Sequence, residues 1–324
     1  MTVLSCSGAG FDAARTLARV RHGHGFFAQA ISPQPLEMLA GELAAACASL
    51  TLCDLDPLFA SPDDLTLARH LASCLSAPAE LALRSAPELG VRRLAGGDEH
   101  VWFDTRFEAA HQLPNVPAGH PCGRLHGHGF GVRIEADAAR ATHASLAAAW
   151  QPLAARLEHR LLNEIAGLAN PTSEVLAAWL FAELDVDGLV AVEVYETASA
   201  GSRFDGGRWT IWKTLRFEAA RAFDAAGRYT GHSYRLRLRL AGDALDAELG
   251  WLRDFGDVKR AFAPLYDALD HHLLDTLPGL AATDCASLAS YIGERFAMPA
   301  LAGVDVLQNG HDGALWRKEA ACTR

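Results

Sequence analysis

Histidines 24, 128 and 232 each close a short related segment, and the step between them is 104 residues both times. The segments are His22-Gly-His24-Gly-Phe26, His126-Gly-His128-Gly-Phe130 and Thr230-Gly-His232-Ser-Tyr234. Ahead of them lie Phe11-Asp-Ala-Ala-Arg15, Phe107-Glu-Ala-Ala-His111 and Phe217-Glu-Ala-Ala-Arg221. Two paired motifs recurring in order three times mark a repeated unit, and a repeat constrains the fold more strongly than any local pattern. The 324 residues then divide into 1–96, 97–204 and 205–324. Each piece is large enough for a core of its own.

The units share a layout. The Phe-x-Ala-Ala segment and the segment after the glycine read as strands; Tyr234-Arg-Leu-Arg-Leu-Arg-Leu240 alternates with period two. Helical patterns follow at 36–49, 145–166 and 254–274, with shorter ones at 63–75, 171–183 and 285–296. Strands such as 188–196 and 303–308 close the units. The expected class is α+β: strand, strand, helix, helix, strand, strand, three times over. The joins are expected at Ala95–Glu99 and in the turn-rich stretch Gly201–Gly207.

Composition narrows the function. Half of the residues are hydrophobic and the formal charge is −10, with no Lys/Arg-rich block, which argues for a folded protein and against nucleic acid or an anionic membrane as partner. No apolar run is long enough to span a bilayer, and the start lacks a secretory pattern. Seven cysteines (6, 47, 53, 74, 122, 285 and 322) form no CxxC pair, so reduced thiols in the cytoplasm are expected.

Seven of the fourteen histidines fall between His100 and His159, in the middle copy. On a strand His126 and His128 share a face, and His111 comes from the partner strand of the proposed hairpin. Three imidazoles without a thiolate pair make a catalytic-style zinc set with a fourth position left open. Cys122 is either a thiol of lowered pKa acting as base or nucleophile, or a fourth ligand of a structural site. Glu196, ending a strand, is either a solvated carboxylate or an acceptor for two N–H donors of a planar heterocycle. Glu158-His159, placed in the long helix, is a candidate proton-transfer pair.

The run Phe107-Glu-Ala-Ala-His-Gln-Leu-Pro through Cys122-Gly-Arg-Leu-His-Gly-His128, with Leu161-Leu-Asn-Glu-Ile through Asn170-Pro-Thr-Ser-Glu-Val-Leu-Ala177, resembles the 6-pyruvoyl-tetrahydropterin synthase / 6-carboxytetrahydropterin synthase family, which has the tunnelling fold. The spacing of Cys122 to His126 is similar to that of the bacterial carboxypterin branch. The resemblance implies three fused tunnelling-fold units closing one pseudo-trimeric barrel with helices outside, and a homodimer if two barrels stack. It implies one zinc per chain on His111, His126 and His128, with Cys122 as catalytic thiol. Glu196, with Thr172 and Glu174, would bind a small pterin substrate. The family's Asp-His pair stands intact as Asp270-His271 in the third copy, which would lend it across a seam; Glu158-His159 is the rival. Arg15 and Arg221 replace the first ligand in the outer copies, and Ala18 falls where the thiol would be. Both outer copies are therefore expected to be empty of metal. The implied activity is conversion of 7,8-dihydroneopterin triphosphate to 6-carboxytetrahydropterin for queuosine synthesis. A pyruvoylpterin product or a non-catalytic pterin-binding role are the alternatives.

Overall fold

Each unit opens on a long hairpin: β1 (Thr2–Leu17) with β2 (Val20–Ser32), β5 (Glu99–His111) with β6 (His126–Asp137), and β9 (Trp209–Ala222) with β10 (Tyr229–Gly242). Two helices follow, α1 (Leu36–Leu50) and α2 (Asp64–Ser73), α3 (His143–Leu157) and α4 (Ser173–Glu183), α5 (Phe255–Leu269) and α6 (Cys285–Arg295). Short hairpins close the units: β3 (Glu80–Arg84) with β4 (Leu89–Arg93), β7 (Leu189–Thr197) with β8 (Ala200–Phe204), and β12 (Leu301–Leu307) with β13 (Gly313–Arg317). The two-residue β11 (His272–Leu273) is an addition in the third unit. This computed structural model describes residues 1–224 and 226–318; Cys322 lies outside them. The six described cysteines are free thiols.

The units join edge to edge. β4 pairs with β5, β8 with β9 and β13 with β1, all antiparallel, and β10 pairs with both β9 and β12. Twelve strands thus close into one barrel, which removes the edges each unit would expose alone. Alternation decides the two faces. On β10, Leu236, Leu238 and Leu240 are fully buried under the helices, while Arg235, Arg237 and Arg239 line the lumen. The apolar core therefore lies outside the barrel, where Leu39, Leu43 and Leu50 of α1 and Leu176 and Leu180 of α4 pack on it. The lumen is a polar cavity of about 500 Å³. Arg133 clasps Asp104 with two bonds of 2.6 and 2.8 Å; Arg203 and Arg92 meet Glu135 at 2.6 and 3.2 Å; Arg239 and Arg317 share Asp305 at 2.9 and 2.5 Å.

Several expectations need correction. The long helices stop at Leu157 and Leu269, short of the expected 166 and 274. His159 and His271 adopt φ of +55° and +58°, and their N–H groups donate to Glu108 O and Glu218 O. Leu52 does the same in the first unit, at φ +59° with its N–H on Asp12 O. A bond to a strand edge outcompetes the next helical turn, so Glu158-His159 follows the helix and does not lie in it. Within the join expected at Gly201–Gly207, the first four residues belong to strand β8 and the turn to β9 follows them. Ala18 is no counterpart of a thiol-bearing loop: with Arg19 it forms a two-residue hairpin turn, both at positive φ.

Candidate metal centre and seam

His111 and His126 are cross-strand partners at the loop end of the β5–β6 hairpin, with His128 one pleat further along. Phe107 and Phe130, stacked at 5.1 Å beneath them, hold the hairpin against α3 through Trp150. The His111 ring is fully buried and its Nδ1–H donates to Pro171 O at 3.1 Å; His126 Nδ1–H donates to Arg124 O at 2.7 Å. A carbonyl can only accept, so both rings carry their proton on Nδ1 and turn a bare Nε2 inward. His111 Nε2 and His128 Nε2 lie 2.9 Å apart, and one nitrogen of each of the three rings lies within 4.8 Å of the others. Two ring nitrogens at that separation need a cation or a proton between them. Burial holds the His111 ring near pKa 4, aided by His126 and His128, and lowers that of His128, so these two rings favour the neutral, ligating form. The set fits a metal ion of the three-histidine kind.

The centre opens on a seam between the second and third units. β6 loses β7 beyond Gly131, and β9 loses β8 beyond Lys213. Past those points β6 and β9 face each other across three strand spacings, about 14 Å. Glu196, in the floor of that gap, puts Oε1 3.7 Å from His128 Nε2. Burial raises its carboxyl, opposed by His126 and Lys213. Cys122, half-buried in the β5–β6 connection, is close enough for Glu196 and Asp254 to act on its thiol. Burial and these two carboxylates push the thiol up, while the lowering expected from sequence rests on a bound cation.

The other expected residues divide. β11 takes the β9 edge that β8 leaves free, which sets Asp270-His271 on the far side of the gap. Asp270 accepts from Glu218 N–H at 2.8 Å and from His271 Nδ1 at 2.8 Å; the pair makes no hydrogen bond to the histidine cluster or Cys122 among the described residues. Glu158 and His159 occupy the equivalent place in the second unit, 3.1 Å apart, where His159 and His128 border one open depression of about 600 Å³. Thr172 caps α4 and donates to Gly250 O at 2.6 Å, while buried Glu174 accepts from Leu252 N–H at 3.0 Å. Both therefore tie the second unit to the loop before α5.

Sequence reading missed His120 and Asp254. His120 Nδ1 accepts the Cys122 N–H at 3.2 Å, and its Nε2 meets Asp254 Oδ2 at 2.8 Å. Asp254 also caps α5. Its position in Gly250-Trp-Leu-Arg-Asp254-Phe255 was the available signal, but nothing local shows that a third-unit cap reaches a second-unit loop.

Glu174 carries a pH prediction. Burial raises its carboxyl from 4.5 to about 7, with Glu196 adding to the effect. A raised acid contributes stability that is full below its unfolded pKa and is lost as pH rises through the folded one. Glu174→Gln should therefore match the parent near pH 4.5 and exceed it by roughly 3 kcal/mol at pH 8. Parallel denaturant melts across pH check this; a difference independent of pH refutes it.

Fold and site together define a class: a twelve-stranded tunnelling-fold barrel with a three-histidine centre at a seam between units. The chain belongs to the 6-pyruvoyl tetrahydropterin synthase family, whose sequence profile matches residues 100–206 and again 210–309. A Synechocystis protein named 6-carboxy-5,6,7,8-tetrahydropterin synthase is 40% identical over 119 residues, spanning 32% of this chain and 91% of the relative. The 6-pyruvoyl tetrahydropterin synthase structure from Caenorhabditis elegans is 19% identical, covers 35% of this chain and 96% of its own, and aligns with a TM-score of 0.31. No helix among the described residues is long and apolar enough to cross a membrane.

Proposed function

We propose that this chain is a zinc-dependent 6-carboxy-5,6,7,8-tetrahydropterin synthase. It takes 7,8-dihydroneopterin triphosphate and water to 6-carboxytetrahydropterin, acetaldehyde and triphosphate, in the cytoplasm, as a precursor step toward queuosine. The observation that carries the reading is the convergence of three imidazole nitrogens beside Glu196 and within electrostatic reach of Cys122. His111, His126 and His128 would hold one zinc, which supplies Lewis acidity toward the substrate's side-chain hydroxyls. Glu196 anchors the pterin ring through its N–H groups, with Thr172 and Glu174 shaping the pocket behind His111. Cys122 moves protons between side chain and ring; its raised thiol pKa keeps it a proton donor at neutral pH until a nearby cation lowers it. Asp270-His271 completes the relay from the opposite edge of the seam. The name of the 40% identical relative supports the carboxypterin product over the pyruvoyl one.

The deciding experiment is mass spectrometry of the product from zinc-loaded protein and 7,8-dihydroneopterin triphosphate. A carboxypterin with acetaldehyde is expected; a pyruvoylpterin keeps the site but changes the reaction, and no product points to a binding protein. In the same assay His271→Ala should lower kcat by about 100-fold or more, the range for a lost proton-transfer group. His159→Ala should leave it within about twofold, and the reverse order transfers the relay to the second unit's own pair. Two barrels stacked face to face would sediment at twice the 34.7 kDa of one chain.

A further inference from the structure

Seven arginines line the barrel lumen, and five of them are ion-paired as described above. Arg235 and Arg237 are the exceptions. They stand two residues apart on β10, so both project inward, about 7 Å apart along the strand. Arg237 has one hydrogen bond, Nε to Thr214 Oγ1 at 3.3 Å, and lies 5.7 Å from the Trp212 ring centroid. Arg235 has neither hydrogen bond nor ion pair among the described residues. Burial and the adjacent Arg239 act against the charge on Arg237, while Asp305, Tyr195 and Glu193 favour it without an ion pair. Arg235 is exposed where the lumen opens and Arg237 is half-buried within it, so neither guanidinium is closed off by a carboxylate and both forks can meet an anion.

We propose that the lumen is an oligophosphate-binding site, with the Arg235 and Arg237 guanidiniums as its two clamps. Each fork can make two parallel bonds to a phosphoryl group, and their separation suits a chain of two or three linked phosphates better than one. The volume of about 500 Å³ accommodates such a chain. Entry is provided where Arg235 and Gly310 also border a second cavity of about 650 Å³, whose rim carries Ser199, Ser233 and Asn309. None of His111, His126, His128 and Cys122 lines either space. The site is thus separate from the metal centre, and the inference does not depend on the proposed reaction. Free triphosphate and the tail of a nucleotide share this chemistry.

Calorimetric titration of the full chain with inorganic triphosphate tests it, with orthophosphate and ATP as parallel ligands. One triphosphate per chain is expected, with orthophosphate at least about tenfold weaker, since only one fork engages it. Arg235→Gln/Arg237→Gln should weaken triphosphate by at least about 30-fold, and Arg237→Lys, which keeps the charge and loses the fork, by about tenfold. His111→Arg, which removes a metal ligand, should leave binding unchanged. Melting curves confirm that each variant is folded. ATP binding as tightly assigns the site to a nucleotide tail, and its exclusion assigns it to the free anion. No saturable binding, binding indifferent to the arginine variants, or binding lost in His111→Arg overturns the proposal.

Discussion

Cys122→Ala is expected to keep its zinc and lose turnover by about 100- to 10,000-fold, the span attributed to a positioned proton-transfer group. The side chain is only half-buried, so the variant should fold as the parent does. Its surroundings separate the two roles open to it. Three imidazoles already present one nitrogen each within 4.8 Å of one another, enough for a catalytic-type site with a position left for substrate. The neighbours acting on the thiol are the carboxylates of Glu196 and Asp254, and His120 holds the Cys122 backbone while bonded to Asp254. Metal analysis beside single-turnover kinetics decides the matter. Loss of zinc along with activity would make Cys122 a fourth ligand and the site structural.

Exchanging the residue at the first-ligand position between units, with its buried partner where it has one, should move the metal count by one in either direction. In each unit the carbonyl before the second helix's cap accepts from the same motif position: Pro171 O from His111, Pro62 O from Arg15 Nη1 at 2.9 Å, and Thr283 O from Arg221 Nη1 at 3.5 Å. In the outer units a guanidinium thus fills the place of the first ligand. Arg15 is buried there, 2.6 Å from Asp64. The other two ligand positions of the first unit keep their form. His22 Nδ1 lies 3.2 Å from Val20 O, and the His22–His24 rings lie 5.1 Å apart at 67°, against 5.1 Å and 61° for His126–His128. His24 Nε2 is buried without a partner. His111→Arg should therefore take zinc from one per chain to none and abolish turnover. Arg15→His, paired with Asp64→Ser to match Ser173 of the second unit, should raise it to two. Elemental analysis of dialysed protein gives the count, and a parent chain already holding two or three zincs would end this account.

The seam explains which parts of the site could be read from the chain. His111, His126 and His128 were legible because a strand hairpin converts spacing directly into position: cross-strand partners and same-face neighbours follow from alternation alone. Glu196 was legible as the last residues of a strand. His120 was not, since a histidine in a loop carries no periodic signal, and its role rests on Asp254 more than a hundred residues away. Thr172 and Glu174 were marked as substrate-facing, yet their bonds run to Gly250 and Leu252 of the next unit. The helix ends were misread because a strand edge of the same unit competes with the next turn. The apolar period of 145–166 continues past Leu157, but Glu108 O on the adjacent strand takes the His159 N–H and turns the chain.

The repeat, the alternation of β10 and the position-by-position fate of the metal ligands are properties of the chain itself. They follow from local stereochemistry and from comparison of one unit with the next, and they suffice for the class of fold. Closure belongs to the tertiary structure. Only when β13 meets β1 does the arginine face of β10 become a lumen, with Arg235 and Arg237 outside its ion pairs among the described residues. Only when β8 ends its pairing with β9 at Lys213 does a gap form between two units, with the metal centre on one edge and Asp270-His271 on the other. Side-chain chemistry is written residue by residue, whereas the distance between residues of different units is set by how many strands separate them in the closed barrel.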